Sequence, residues 1–90
     1  MPTREITISN KLGLHARAAA KFVGVASGFP CQVRVGRSAD STVDGKSIMA
    51  VMMLAAGKGT SLHLHSEGER EDEALEALVA LIDNKFDEGE

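Results

Sequence analysis

Cys31-Gln32-Val33-Arg34-Val35, then Gly36-Arg37-Ser38-Ala39-Asp40-Ser41, then Thr42-Val43, is the stretch that decides the fold. Cys31, Val33 and Val35 alternate with polar residues, which is the period of a strand with one buried face. The six residues after Val35 are turn-forming, and Thr42-Val43 reads as a short return strand, so the centre of the chain is a hairpin. A hairpin makes its two strands antiparallel neighbours, whereas a parallel pair needs a crossover of a dozen or more residues. On the N-terminal side, Glu5 to Ser9 is a strand with Ile6 and Ile8 on one face. Asn10 to Leu14 is a loop with Gly13 as its flexible point. Ala19, Phe22, Val23 and Ala26 then recur at helical spacing, and that helix stops at Ser27-Gly28 with Pro30 just beyond.

On the C-terminal side, Asp44-Gly45-Lys46-Ser47 leads into an apolar helix over Ile48 to Ala56, with Ser47 as its N-cap. Gly57-Lys58-Gly59 closes it. Thr60 to Ser66 is a strand with Leu62 and Leu64 inward and His63 and His65 outward. Glu71 to Phe86 is a long helix with Leu75, Leu78 and Ile82 on one face. Glu69, Glu71, Asp72 and Glu73 lie at its start, where the helix dipole favours negative charge. Asp87 to Glu90 reads as a frayed tail. The order β-α-β-β-α-β-α predicts an α+β fold, a largely antiparallel sheet with helices on one face. Pattern alone leaves the strand order open, and a ferredoxin-like sheet has nearly the same run of elements.

Ninety residues are expected to make one domain, residues 1–90, with a core built mainly from aliphatic side chains, because the aromatics are three Phe with no Trp or Tyr. A net charge of −3 argues against a general nucleic-acid binder. Cys31 is the sole cysteine, so no internal disulfide is possible. That fits a reducing, cytoplasmic compartment. The N-terminus carries no apolar stretch of the signal-peptide kind, and no segment approaches the roughly 20 apolar residues that span a bilayer. A soluble intracellular protein is the expectation.

His15, in Gly13-Leu14-His15-Ala16-Arg17, stands where the first strand hands over to the first helix. A helix start offers backbone N–H groups with no carbonyl a turn earlier, together with partial positive charge, and so favours an anion. An imidazole there near neutral pH is largely unprotonated and can attack phosphorus. Arg17, two residues on, can add a bidentate cationic donor. Nδ1, the nitrogen nearer the helix backbone, is the expected nucleophile. Each residue also has a plainer reading: His15 as a helix cap, Arg17 as a solvated charge, and Ser47 as a cap alone. His63 and His65 share a strand face but have no third ligand in evidence, so neither a metal nor a cofactor is expected.

The run Asn10-Lys11-Leu12-Gly13-Leu14-His15-Ala16-Arg17-Ala18-Ala19 resembles the active-site signature of the HPr family, the histidine phosphocarriers of the bacterial phosphoenolpyruvate-dependent phosphotransferase system. Gly45-Lys46-Ser47-Ile48-Met49 with Leu54-Ala55-Ala56-Gly57-Lys58-Gly59 resembles that family's regulatory-serine segment. Glu67-Gly68-Glu69 leading into Glu73-Ala74-Leu75 adds a third match, and the likeness covers essentially the whole chain. The resemblance implies an open-faced β-sandwich, a four-stranded antiparallel sheet covered on one face by three helices. It implies that His15 takes a phosphoryl group from Enzyme I and passes it to an enzyme IIA domain. It also implies that Arg17 contacts the phosphate and that Ser47 is phosphorylated by HPr kinase/phosphorylase. On this reading the protein is a carrier, not an enzyme with its own turnover. One departure is Ala18, where the family usually has Pro; it adds an N–H near the phosphate site.

On the short helix after Ser47, Val51 and Leu54 are expected in the core with Ile48 beside them, and Met49 with Met52 or Met53 outside. Leu12, Ala16, Ala20, Lys21, Gly24, Ile48, Met49 and Met52 make up the expected docking face around His15. A face that must stay free for partners predicts a monomer without membrane insertion. A paralogue in a nitrogen-related phosphorelay would share the same His15 chemistry. A ferredoxin-like ligand- or metal-binding module lacks the paired cysteines it would need. A hydrolase with His15 as base lacks a nearby nucleophile with a supporting acid.

Overall fold

A computed structural model of the chain describes residues 2–87. β1 (Thr3–Thr7), β2 (Gln32–Ser38), β3 (Ser41–Asp44) and β4 (Ser61–Glu67) form one sheet in the order β1-β4-β2-β3, and every neighbouring pair is antiparallel. α1 (Ala16–Ser27), α2 (Ile48–Met52) and α3 (Glu71–Asp83) complete the open-faced sandwich anticipated above. The last strand lies between the first and the second, so β4 is buried in the middle of the sheet. Registers place Val35 opposite both Leu64 and Val43, and Leu62 opposite Ile6, on one face. That face carries the core, where Val33, Val35, Leu62 and Leu64 meet Phe22 and Ala26 of α1 and Leu75, Leu78 and Ile82 of α3. The opposite face holds Glu5, His63, Arg34 and Thr42. There His63 Nε2 lies 3.4 Å from a Glu5 carboxylate oxygen, and Arg34 Nε donates to Thr42 Oγ1 at 2.9 Å.

The central hairpin is tighter than expected. β2 continues through Gly36 to Ser38, with a register shift between Gly36 and Ser38, and β3 begins at Ser41. Any Cβ on Gly36 would sit 2.0 Å from the Ser41 carbonyl oxygen, so only glycine lets the two strands approach here.

Two helices are shorter than their periodicity suggests. α2 ends at Met52, not Ala56, because Ala55 takes a left-handed φ of 50° and breaks the helical path. Leu54 is therefore outside the helix and only half-buried, and Ile48 is exposed; Val51 alone of that set is fully buried. The expectation of Ile48 beside the core is thus corrected: one and a half turns cannot bring Ile48, Val51 and Leu54 to one buried line. α3 ends at Asp83, and Lys85 and Phe86 both have positive φ, so the chain turns back in a 3-10 turn over Lys85–Asp87. This buries Phe86 completely. Of the tail expected from Asp87 onward, residues 88–90 lie outside the described residues.

Candidate functional site

The loop that carries His15 is held from both ends by backbone and one buried amide. Asn10 is fully buried, and its Nδ2 donates to the Gly13 carbonyl at 2.8 Å while the Gly13 N–H returns to the Asn10 carbonyl at 3.2 Å. Gly13 has φ +69°, and a Cβ there would stand 2.6 Å from the Ala56 carbonyl oxygen and the Gly57 Cα. The next residue, Leu14, donates its N–H to that same Ala56 carbonyl at 2.8 Å and buries its side chain. The left-handed turn at Ala55 thus does structural service for the site, because it presents Ala56 to the His15 loop. Sequence reasoning saw Gly13 as flexible and passed over Asn10; the Asn-x-x-Gly spacing ahead of a helix was the available signal.

His15 itself is the N-cap of α1, with extended backbone (φ −86°, ψ −179°), and its carbonyl receives the Ala19 N–H at 2.8 Å. Its Nδ1 accepts the Arg17 backbone N–H at 3.3 Å. Nδ1 therefore carries the lone pair and Nε2 the proton in the neutral ring. Nε2 is turned away from solvent. The capping reading and the nucleophile reading are here one geometry: the nitrogen that caps the helix is the one that faces its N–H groups. Arg17 is exposed in the first turn, and Ala18, fully buried, follows it. No acidic residue occupies that turn to compete for an anion.

Ser47 caps α2 as expected, its Oγ accepting the Ala50 N–H at 3.3 Å. The turn before it is fixed by Lys46 N–H to Asp44 Oδ1 at 2.9 Å, Ser47 N–H to the Asp44 carbonyl at 3.2 Å, and Lys46 Nζ to the Phe29 carbonyl at 2.7 Å. α2 packs against α1, so the two caps belong to neighbouring helices. Of the docking residues expected, Leu12, Ala16, Ala20, Gly24, Ile48, Met49 and Met52 are all exposed. Ala16, Ala20 and Gly24 follow one another at four-residue intervals, on one face of α1. Lys21 differs: it is half-buried and its ammonium donates to the Phe86 carbonyl at 2.9 Å, tying the C-terminal turn to α1. Met53, the C-cap of α2, is exposed beside Met52.

His63 and His65 lie on the uncovered sheet face, with Glu5 and Glu67 as neighbours at 3.4 and 4.0 Å. Among the described residues no group of three His, Cys, Asp or Glu side chains is placed to hold a metal ion. Cys31 is buried. No helix among them is long and apolar enough to cross a membrane.

A histidine nitrogen set against a helix N-terminus, on an open-faced sandwich, suits a phosphoryl group. Residues 2–84 match the family described as PTS HPr component phosphorylation site. The chain is 81% identical to the phosphocarrier protein HPr of Pseudomonas aeruginosa, over the whole of both chains. HPr-C-His from Thermoanaerobacter tengcongensis, a crystal structure, superposes with a TM-score of 0.91 at 46% identity, covering 98% of each chain. The phosphocarrier protein NPr of Shewanella violacea is 41% identical over 85 residues, covering 94% of this chain and 92% of that one. The chain belongs to the HPr family, the phosphocarriers of the phosphotransferase system. Its role is to carry a phosphoryl group, not to turn over a substrate of its own.

Proposed function

We propose that His15 Nδ1 accepts the phosphoryl group from the phosphohistidine of Enzyme I and delivers it to a histidine of an enzyme IIA domain, the whole chain acting as one phosphocarrier domain. The observation that carries this is the 3.3 Å contact from the Arg17 N–H to Nδ1, which aims the lone pair at the open end of α1. In the acceptor step the Nδ1–P bond forms as the donor's N–P bond breaks, and the donor nitrogen keeps that electron pair. The transferring group bears its charge on three oxygens, so stabilisation is positional and electrostatic. The first-turn N–H groups of α1 and the Arg17 guanidinium supply it here, with Ala18 contributing an N–H that proline would lack. The partner supplies the remainder. The phosphoramidate formed is high in energy, so the group moves on readily.

Leu12, Ala16, Ala20, Gly24, Ile48, Met49 and Met52 form the docking face in this reading, with Lys21 at its margin. Flexible thioethers suit a surface that must receive several partners. Ser47 is the regulatory site for HPr kinase/phosphorylase. Its phosphate, with a charge of about −2, would stand beside the exposed Ile48 and Met49 and disturb docking there. A cytoplasmic monomer suits these roles.

The 41% identity to an NPr supports a second reading, in which the same His15 chemistry serves a nitrogen-related relay. Incubation with phosphoenolpyruvate and either type of Enzyme I tests both. An acid-labile gain of one phosphate, lost in His15→Ala, is the expected result, and the faster donor identifies the branch. Equal labelling of parent and variant would remove His15 from the scheme.

A further inference from the structure

The described residues contain four sulfur atoms, and only one lies in the core: Cys31 is 2% exposed, whereas Met49, Met52 and Met53 are 72%, 40% and 80% exposed. All three thioethers fall within five residues, on α2 and its C-cap, and α2 packs against the helix that His15 caps. Solvent-exposed sulfur is the part of a protein that peroxides reach first, and oxidation makes an apolar, flexible side chain polar and chiral. We propose that Met49, Met52 and Met53 form a reversible oxidation site that switches the docking face off under peroxide stress. The inference rests on the docking role given to this face above.

In the forward step a thioether sulfur loses two electrons to hydrogen peroxide and takes one oxygen atom, giving the sulfoxide and one water. In the reverse step a methionine sulfoxide reductase uses two thiols, which leave as a disulfide and one water. The fold should tolerate the change, since Met49 and Met53 are largely in water, Met52 is partly so, and Val51, which anchors α2, carries no sulfur. Docking should not tolerate it. A sulfoxide oxygen pressed into an apolar partner surface loses its water without gaining a hydrogen bond. Leu12 and Ile48, also exposed and apolar, are inert to peroxide, so on this face only the three methionines respond.

The test treats the full chain with hydrogen peroxide, removes the excess, and locates sulfoxides by peptide mass mapping. The initial rate of His15 phosphorylation by phospho-Enzyme I and the thermal midpoint are then read on the same samples. Sulfoxides at 49, 52 and 53 ahead of any change at Cys31, an unchanged midpoint, and a rate lowered about tenfold, or ~1.4 kcal/mol, are expected. Reductase with a thiol should restore the rate. The M49L/M52L/M53L variant should keep its own untreated rate after peroxide. Full oxidation with no loss of rate overturns the inference, as do methionines that resist peroxide or an equal loss in the leucine variant. An untreated protein that never accepts phosphate at His15 overturns the carrier reading and this inference with it.

Discussion

His15 Nδ1 accepts the backbone N–H of Arg17, two residues ahead of it, at 3.3 Å, so one nitrogen both caps α1 and points its lone pair at the helix N-terminus. This contact requires the neutral ring to hold its proton on Nε2. Nitrogen-15 chemical shifts of His15 at pH 8 should show the Nε2–H tautomer. A predominant Nδ1–H form would mean that the contact is absent in solution and that the other nitrogen is the nucleophile.

Arg17 presents an exposed guanidinium on the first turn and is not part of the core. Arg17→Ala should leave the thermal midpoint unchanged and slow phosphoryl acceptance. A hydrogen bond to a charged group contributes about 1.5–3 kcal/mol, which corresponds to a loss of roughly 10–160-fold in rate. Stopped-flow or quenched-flow labelling reads it, and a rate equal to the parent's removes Arg17 from the phosphate.

Ser47 has two separable roles. Ser47→Ala removes the Oγ acceptor for the Ala50 N–H and should cost about 1 kcal/mol in urea unfolding while preserving phosphoryl acceptance. Ser47→Asp keeps a capping acceptor but places negative charge beside Ile48 and Met49. It should therefore be nearly as stable as the parent and slower with Enzyme I. If it is as fast as the parent, charge at Ser47 has no bearing on docking.

Two glycines near the site should respond in opposite directions to alanine. At Gly13, φ is +69° and a Cβ would stand 2.6 Å from the Ala56 carbonyl oxygen, so Gly13→Ala should destabilise the fold by about 2 kcal/mol or more. At Gly24, inside α1, nothing lies within 4 Å of the added methyl, and Gly24→Ala should stabilise by about 0.5–1 kcal/mol. Equilibrium denaturation of the pair reads both signs at once.

Arg70 and Glu73 form an exposed ion pair at 3.0 Å where α3 begins. The hydrogen bond and the charge of Arg70 hold the Glu73 carboxyl below the usual glutamate range, and Glu73 in turn raises Arg70. A carboxylate with a lowered folded pKa stabilises fully above its unfolded pKa and loses that contribution as pH falls through the folded value. The contribution is therefore fully present near neutrality and is lost on the acid limb, and solvent keeps it small. Arg70→Ala should bring the Glu73 titration, followed by carboxyl carbon shifts, back up into the ordinary range. An unmoved titration would show that the pair does not persist in solution.

Much of this molecule follows from local signals in the chain. Strand alternation placed Val33, Val35, Leu62 and Leu64 inward, helical spacing did the same for Phe22, Leu75, Leu78 and Ile82, and the cap residue Ser47 marked the start of α2. The position of His15 at a helix start was visible for the same reason: a change of hydrophobic period locates the junction without reference to anything distant. The sequence by itself thus determined the order of elements, the buried face of most of them and the place of His15 at a helix start. Tertiary structure decided what depends on contacts across long separations. The insertion of β4 between β1 and β2 is one case, because several strand orders satisfy the same alternation. The early end of α2 at Ala55 is another, since that left-handed residue serves the Ala56–Leu14 hydrogen bond some forty residues away in sequence. Phe86 leaves the line of α3 for the same kind of reason: a buried ring and the Lys21 ammonium on its carbonyl outweigh the continuing helical period. Which nitrogen of His15 faces the helix N-terminus rests on ring orientation, marked by a 3.3 Å contact from backbone to Nδ1 and by the burial of Nε2. Periodicity reports which side of an element is apolar; only packing says where each element stops and which atom it presents.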